Sequence, residues 1–188
     1  MVVDIPMGLV DSAEGRRDDE LMRKRLGRRQ SSVFMAPSRA ALDATDYEDA
    51  NKRNRKATGK SLSRQTLGLI PKIREVDSLL TPSVQEQVRE GHSEVAFAGL
   101  SGKPTAYSKK TPAGVSERQS VHWAAGYGLD RLKACLPPRS KAGIDDLLDA
   151  CVLHDVACPI LAGSAQALPE TEERDFKGLL MQVWHAPR

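Results

Sequence analysis

The sequence predicts an α/β fold with one domain over residues 1–188. Short apolar segments typical of strands alternate with longer runs in which apolar residues recur at helical spacing, and the chain is long enough to bury a core without disulfides or a structural metal. Strands are predicted at the amino terminus with Val2 and Val3, at residues 94–100, where an apolar run ends at glycines, and at residues 176–185, which we expect to form an edge strand.

Helical patterns fill the stretches between these strands. The predicted helices cover residues 12–27, 38–56, 63–79, 116–134 and 144–157. Ser12 is a candidate cap for the first helix and Gly27 a candidate stop. Pro71 lies inside the third and predicts a kink or a junction between two shorter helices, whereas Pro159 is expected to end the last one.

The composition favours a soluble cytoplasmic protein, since the chain is 40% hydrophobic and 28% charged. Cys135, Cys151 and Cys158 are too few and too unevenly spaced for a disulfide framework, which favours a reducing compartment. No apolar stretch approaches the length of a membrane span, and no basic region precedes an apolar one at the amino terminus. We therefore expect neither secretion nor membrane insertion.

The charges are unevenly distributed along the chain. Residues 1–143 hold 25 basic and 17 acidic residues, whereas residues 144–188 hold 3 and 8. A basic surface beside an acidic cluster is what a metal-dependent enzyme acting on phosphodiesters would need. Eight basic residues and no acidic one fall within residues 51–74, a run as typical of a solvated face as of a binding surface. The aromatic content of 4% argues against a single-strand binding surface built mainly from stacked bases.

Acidic residues occur at three separated places that could supply a metal site. They are Asp4 after the first strand, Glu90 and Glu94 around His92, and Asp145, Asp146 and Asp149 on the last predicted helix. Two-metal phosphodiester hydrolysis needs carboxylates from different elements, because magnesium takes oxygen ligands and two ions must be held about 4 Å apart. Asp149 shares a helix face with Asp146 at i+3 and with Asp145 at i+4, so one of those two is expected to point elsewhere.

Structural explanations exist for the same residues. The helix dipole favours acidic residues in a first turn, which accounts for Asp145 and Asp146 but less well for Asp149. Asp4, before Ile-Pro, could equally be a turn residue that accepts backbone hydrogen bonds. Lys109 and Lys110 could bind a phosphate and neutralise charge in the transition state, or merely balance the acidic site.

A zinc site is not expected at Cys151, His154 and Cys158. These residues line one helix face, but they span roughly 10 Å of axial rise, which is too far for one tetrahedral ion. Buried core cysteines are the better interpretation. The chain also has no glycine-rich phosphate loop of the Walker or dinucleotide-binding type and no nucleophile elbow around a serine.

A series of ordered motifs resembles a known family. The motifs lie at residues 4–9 (DIPMGL), 26–29 with 31–34 (LGRR, SSVF), 71–77 (PKIREVD), 90–95 (EGHSEV), 108–111 (SKKT) and 145–150 (DDLLDA). Over nearly the whole chain the sequence resembles the predicted RNase H-like nucleases of domain-of-unknown-function family 429. The resemblance implies an RNase H-like core, in which a mixed sheet flanked by helices gathers carboxylates at one end.

The resemblance also implies roles for individual residues. Asp4 is similar to the acidic residue at the end of the fourth core strand, and Asp146 with Asp149 resembles the helical Asp-x-x-Asp pair of Holliday-junction resolvases. Glu90 and Glu94, with His92 between them, match a further family motif, for which metal ligation and orientation of the attacking water are both open.

Two departures from the family pattern concern the start of the chain and the motif around His92. Family members normally begin some tens of residues earlier, with a strand that supplies the first catalytic carboxylate, so the resemblance implies an amino-terminally truncated core. We expect the exposed edge of the strand ending at Asp4 to favour association into a homo-oligomer. Gly91 and Ser93 stand where members usually carry Val and Pro.

The sequence thus predicts a magnesium- or manganese-dependent nuclease that hydrolyses nucleic acid by a two-metal mechanism. Asp4, Asp146 and Asp149 would hold the ions, with Glu90 or Glu94 assisting, and Lys109 or Lys110 would contact phosphate. The alternative is a catalytically inactive remnant of the fold that binds nucleic acid or protein. A weaker third hypothesis is an enzyme for a small phosphorylated or otherwise anionic substrate.

Overall fold

The structure is a computed structural model that describes residues 1–124, 128–134, 136–137 and 140–187. It has an α/β architecture, with a four-stranded mixed sheet flanked by helices. The predicted fold class is confirmed at this level. Within the described residues, no helix combines the length and apolarity needed to cross a membrane.

The elements follow one another in an order that is mostly helical. The strands are β1 (Val2–Val3), β2 (Arg89–Gly91), β3 (Gln166–Leu168) and β4 (Val183–His185). The α-helices are α1 (Arg17–Leu26), α2 (Tyr47–Thr58), α3 (Arg64–Leu79), α4 (Pro82–Gln85), α5 (Ser93–Ser101), α6 (Pro112–Ala124), α7 (Leu129–Ala134) and α8 (Ile144–Leu161). Short 3₁₀ helices cover Gly27–Ser32 and Arg39–Asp43.

The strand order in the sheet is β1-β2-β4-β3. β1 and β4 both run parallel to β2, and β3 pairs antiparallel with β4. The prediction of a long edge strand at residues 176–185 was therefore wrong, because only Val183–His185 is a strand and it lies inside the sheet. β1 lies at an edge, so association of two copies along it stays a prediction.

The predicted strand at residues 94–100 is a helix, α5. Seven of its residues in a row are buried, because α5 packs against α1, α6, α8 and β4 at once. A short apolar run without polar interruptions fits a buried helix as well as a buried strand, so periodicity could not separate the two. The strand lies just upstream, in β2, and Gly102 ends the helix in the left-handed conformation at φ 75°.

The first half of the chain shows how local capping sets helix boundaries. α1 begins at Arg17 rather than near Ser12, and Gly27 follows its last residue as predicted. The expected helix at residues 38–56 is divided into a 3₁₀ turn and α2, because the Asp46 side chain accepts the Asp49 N–H and starts a new helix. Ser63 caps α3 in the same way, and α3 continues through Pro71 as one helix.

The second half differs from expectation at two helices. α6 starts at Pro112 rather than 116, and the predicted run to 134 is divided between α6 and α7, with residues 125–127 outside the described part of the chain. Pro159 does not end α8, which continues to Leu161. Pro159 thus lies in the last turn of α8.

The core has separate clusters on the two faces of the sheet. Val183 packs with residues of α1 and α5, whereas its neighbour Trp184 packs with α5 and α8, as expected for successive residues of a strand. A third cluster joins α2, α3 and the 3₁₀ turn at Arg39–Asp43 beside the sheet. Helix α5 contributes to both sheet-facing clusters and therefore connects them.

Gly91 is required by packing in the middle of the sheet. A Cβ atom there would lie 2.5 Å from Val2 Cγ1 and 2.8 Å from Leu153 Cδ2, distances shorter than real Cβ contacts. The space that a side chain would occupy at this position is thus filled by β1 and α8. This packing explains why a glycine stands at position 91.

We expect Gly91→Ala to lower the free energy of unfolding by about 1–3 kcal/mol, because Val2 and Leu153 must move to make room. Urea unfolding followed by circular dichroism measures this change. Gly68→Ala in α3 is the matched control, since nothing lies within 4 Å of its Cβ position and alanine is the better helix former. Equal effects of the two substitutions would contradict the packing argument.

Candidate functional site

A cleft of about 560 Å³ lies where β1 and β2 end. We call it the main cleft; its lining includes Asp4, Glu90, His92, Glu94, Lys109 and Lys110. Asp4 follows β1 and His92 follows β2, and the carboxyl ends of neighbouring parallel strands meet at one edge of a sheet. The topology thus brings together residues that are 89 positions apart, as the hydrogen bond from the Ser93 N–H to Asp4 Oδ2 at 3.2 Å shows.

Two lysine–aspartate ion pairs join the 108–111 turn to α8. Lys109 Nζ donates to Asp149 and Lys110 Nζ donates to Asp145. Burial acts to lower the pKa of Lys109, but the hydrogen bond to Asp149 and the negative charges of Asp149, Asp4 and Asp145 together outweigh burial and raise the pKa. The hydrogen bond from Lys110 lowers the pKa of Asp145. Lys109 is therefore charged near neutral pH.

Asp149 is a half-buried carboxylate of α8. Its Oδ1 is buried and has no hydrogen-bond partner, while Oδ2 accepts from Lys109. Burial raises the pKa of Asp149, and the negative charges of Asp4 and Glu94 add to the effect. The carboxylates of Asp4, which follows β1, and of Glu94 in α5 therefore act electrostatically on Asp149 of α8.

Asp146 has a different environment from Asp149. It is exposed, and its Oδ2 accepts the Gly143 N–H at 2.8 Å, which caps the start of α8. Asp145 is the first-turn residue whose side chain lies with that of Asp149 against the lysine turn. Asp146 still lines the main cleft, so its role as a metal ligand stays a prediction beside the capping role.

Glu94 is buried and held at both carboxylate oxygens. Arg118 Nη2 pairs with Oε1, and Thr105 Oγ1 donates to Oε2 at 2.7 Å. Arg118 has no exposed surface and its guanidinium lies 5.3 Å from the centroid of the Phe97 ring. Sequence reasoning missed Arg118, although Val115, Arg118 and Val121 recur at helical spacing and place it on the buried face of α6.

Glu90 belongs to a second buried ion cluster. Its Oε2 accepts from Arg16 Nη2 at 2.6 Å and from the Met7 N–H at 2.7 Å. Arg16 also pairs with Asp18, and Asp19 accepts the Ala36 N–H. Burial raises the pKa of Glu90 well above its usual range, against the opposing effect of Arg16. Sequence reasoning did not single out Arg16, Asp18 or Asp19, because acidic residues are common in the first turn of a helix.

His92 lies between the two glutamates and has an unused polar atom. Its Nδ1 is buried without a hydrogen-bond partner, and the ring lines the main cleft. The basic residues Arg29 and Lys72 line the same cleft, whereas Arg74 of the predicted basic run donates to the carbonyls of Leu42 and Ala44. Within the basic run at residues 51–74, Arg74 thus binds backbone carbonyls, whereas Lys72 lines the main cleft.

The turn that carries the two lysines is held closely against α6. A Cβ atom on Gly114 would lie 2.0 Å from the Ser108 carbonyl oxygen, so only glycine permits this approach. The same carbonyl accepts the Thr111 N–H at 3.0 Å, which closes the turn. Lys109 and Lys110 are therefore presented to α8 by a backbone with little freedom to move.

The carboxylates near the main cleft offer a small donor set for a metal ion. Within the described residues, no group of three or more His, Cys, Asp or Glu side chains is arranged to hold a metal ion. Magnesium, however, keeps several waters and takes one or two protein carboxylates together with substrate phosphate. Asp149, with its unpartnered Oδ1, and Asp4 fit that smaller set.

Cys151 is buried and Cys158 is exposed.

Comparison with known protein families shows which family the chain belongs to. A family model described as a protein of unknown function, DUF429, matches residues 1–174. The chain belongs to the DUF429 family. Searches of curated proteins and of solved structures gave no match. The resemblance of the sequence motifs to the DUF429 family is thus confirmed. The RNase H-like core and the nuclease activity stay predictions.

The Arg16 cluster should make this DUF429 protein more stable in mild acid than at neutral pH. Burial raises the pKa of Asp18 from 3.8 to about 6, despite the opposing charge of Arg16. A carboxyl whose pKa is higher in the folded than in the unfolded state stabilises the fold fully below the unfolded value. That contribution is lost as the pH rises through about 6.

We therefore expect the free energy of unfolding to rise between pH 7 and pH 5, by an amount on the order of 1 kcal/mol from Asp18. Asp18→Asn should flatten this rise, whereas Asp130→Asn, on an exposed side chain of α7, should leave it unchanged. Chemical unfolding at the two pH values measures it. A stability that falls over this interval in the wild type would contradict the prediction.

Proposed function

We propose that this DUF429 protein binds nucleic-acid phosphodiesters in the main cleft and hydrolyses them with magnesium or manganese. The observation that carries the proposal is that Lys109 and Lys110, which line the main cleft together with Asp4, form ion pairs with Asp149 and Asp145 of α8. Cationic groups for a phosphate and oxygen ligands for a hard cation are thereby adjacent. Phosphodiester hydrolysis needs both kinds of group at one place.

The lysines would bind the phosphate. Both lysine side chains are partly exposed and line the main cleft, so an incoming phosphate can share each ammonium group with the aspartate. Arg29 and Lys72 extend the positive charge along the lining. These four cations support a substrate with more than one phosphate, because they are distributed over the 3₁₀ helix Gly27–Ser32, α3 and the 108–111 turn.

Asp4 and Asp149 would hold the cation, together with Asp146 if the capping bond to Gly143 opens. A bound magnesium ion would supply Lewis acidity and a more acidic water. Glu94 would assist by keeping negative charge beside Asp149, since Arg118 and Thr105 fix its position. Glu90 contacts Arg16 and the Met7 N–H, so its contribution is to the shape of the cleft.

A second candidate function is binding without catalysis. It is favoured by the way each lysine neutralises an aspartate and by the absence of a three-ligand group among the residues the structure describes. A cleft of this kind can hold a phosphate by charge alone. We propose the cytoplasm as the compartment in either case, because the free thiols of Cys151 and Cys158 suit reducing conditions.

The catalytic proposal is tested by metal titration and cleavage assays. We expect magnesium or manganese to bind saturably in calorimetry and to support cleavage of fluorescently labelled DNA or RNA. Asp149→Asn should abolish both, and Asp4→Asn should weaken metal binding about tenfold or more, as losses of ligands do. Asp130→Asn is the control with an exposed carboxylate on α7. Metal-dependent cleavage that survives Asp149→Asn would overturn the assignment.

The salt dependence of binding tests the lysines separately from the chemistry. Lys109→Gln and Lys110→Gln should each weaken binding of an oligonucleotide and reduce the slope of log K against log salt by about 1, because each removes one phosphate contact. Fluorescence anisotropy between 50 and 200 mM salt gives the slope. Lys133→Gln, on α7, is the charge-matched control. Unchanged slopes in both cleft variants would place the phosphate elsewhere.

A further inference from the structure

A second cleft of about 390 Å³ shares a wall with the main cleft. Its lining comes from residues 15–23, the segment 31–36 and residues 54–66. Asp19, Val33 and Phe34 line both clefts, so they form the partition between them. The second cleft falls in the size range of small-ligand sites, about 300–1,000 Å³.

Phe34 gives the partition an aromatic surface. Its side chain is 41% exposed, although it follows the fully buried Val33 and lies between two concave surfaces. The segment that presents it is held at both ends: Arg23 Nη1 donates to the Val33 carbonyl at 3.0 Å, and the Ala36 N–H donates to Asp19 at 2.7 Å. The phenyl ring is therefore attached to a fixed backbone.

The other walls of the second cleft mix apolar, hydroxyl and cationic groups. Leu62 and Met35 are apolar, Ser61 and Ser63 carry hydroxyls, and Lys60 is the basic residue of the 51–74 run that reaches this cleft. Arg16 lies in the same wall, fully buried, and its Nη1 has no hydrogen-bond partner. This surface can contact a flat apolar ring and a sugar, and its positive charge suits an anion.

We propose that the second cleft holds one unstacked nucleotide of the nucleic acid whose adjoining phosphate lies in the main cleft. The base would stack on Phe34, and the backbone would pass over the partition towards Lys109 and Lys110. One ring suffices for one base, which agrees with the low aromatic content of the chain. The substrate class is therefore single-stranded nucleic acid or a duplex with an unpaired base.

This inference rests on the proposed function for the phosphate in the main cleft, and the lysine variants keep the two separable. The probe is a single-stranded oligonucleotide, as DNA and as RNA, that contains 2-aminopurine. Its binding is followed by anisotropy and by the fluorescence of 2-aminopurine, which reports unstacking and restacking of that base. A perfect hairpin duplex and the same duplex with one unpaired base complete the set.

We expect Phe34→Ala to weaken single-strand binding about tenfold to a hundredfold and to remove the 2-aminopurine response. Phe34→Tyr should retain both, and Phe176→Ala, an exposed phenylalanine that lines neither cleft, should change neither. The single strand and the unpaired-base duplex should bind more tightly than the perfect duplex. Circular dichroism and thermal unfolding confirm that the variants are folded.

Three results would overturn the inference. Weak binding in the lysine variants together with unchanged binding in Phe34→Ala would leave the phosphate site standing and remove the nucleotide site. Perfect-duplex binding as tight as single-strand binding would show that no base leaves the stack. If no oligonucleotide bound even to the wild type, the proposed function itself would fail, and the inference with it.

Discussion

The arrangement of both clefts depends on one buried ion cluster around Arg16. The guanidinium pairs with Glu90 of β2 and with Asp18 of α1, while Glu90 also accepts the Met7 N–H. Asp19, next to Asp18, accepts the Ala36 N–H and so holds the partition segment. A buried charge that loses its partner is strongly destabilising, so these elements are constrained to stay together.

A second buried arginine–glutamate pair holds other elements around the main cleft together. Arg118 of α6 pairs with Glu94 of α5 and donates to the Tyr107 carbonyl at 3.2 Å. The turn with Lys109 and Lys110 is thereby attached to the helix that crosses from one core cluster to the other. The two glutamates flanking His92 thus have structural partners, which the motif alone did not reveal.

The locally determined features were the most predictable. Helix α3 was expected at 63–79 because its apolar residues recur at helical spacing, a property of neighbouring residues, and the structure has it at Arg64–Leu79 with Ser63 as its cap. The strand expected at 94–100 was wrong because burial of α5 on every side removes the polar positions that reveal a helical period. Burial of that kind is set by α1, α6 and α8, which lie far away in the chain.

By itself, the sequence determined the α/β class, the family motifs and the candidate residues Asp4, Lys109 and Asp149, since residue type and short-range spacing carry that information. Only the tertiary structure decided that Asp145 rather than Asp146 joins Asp149 in the lysine pairs and that Arg16 and Arg118 neutralise the two glutamates. The physical reason is that these choices depend on contacts across tens of residues, which spacing along the chain does not encode.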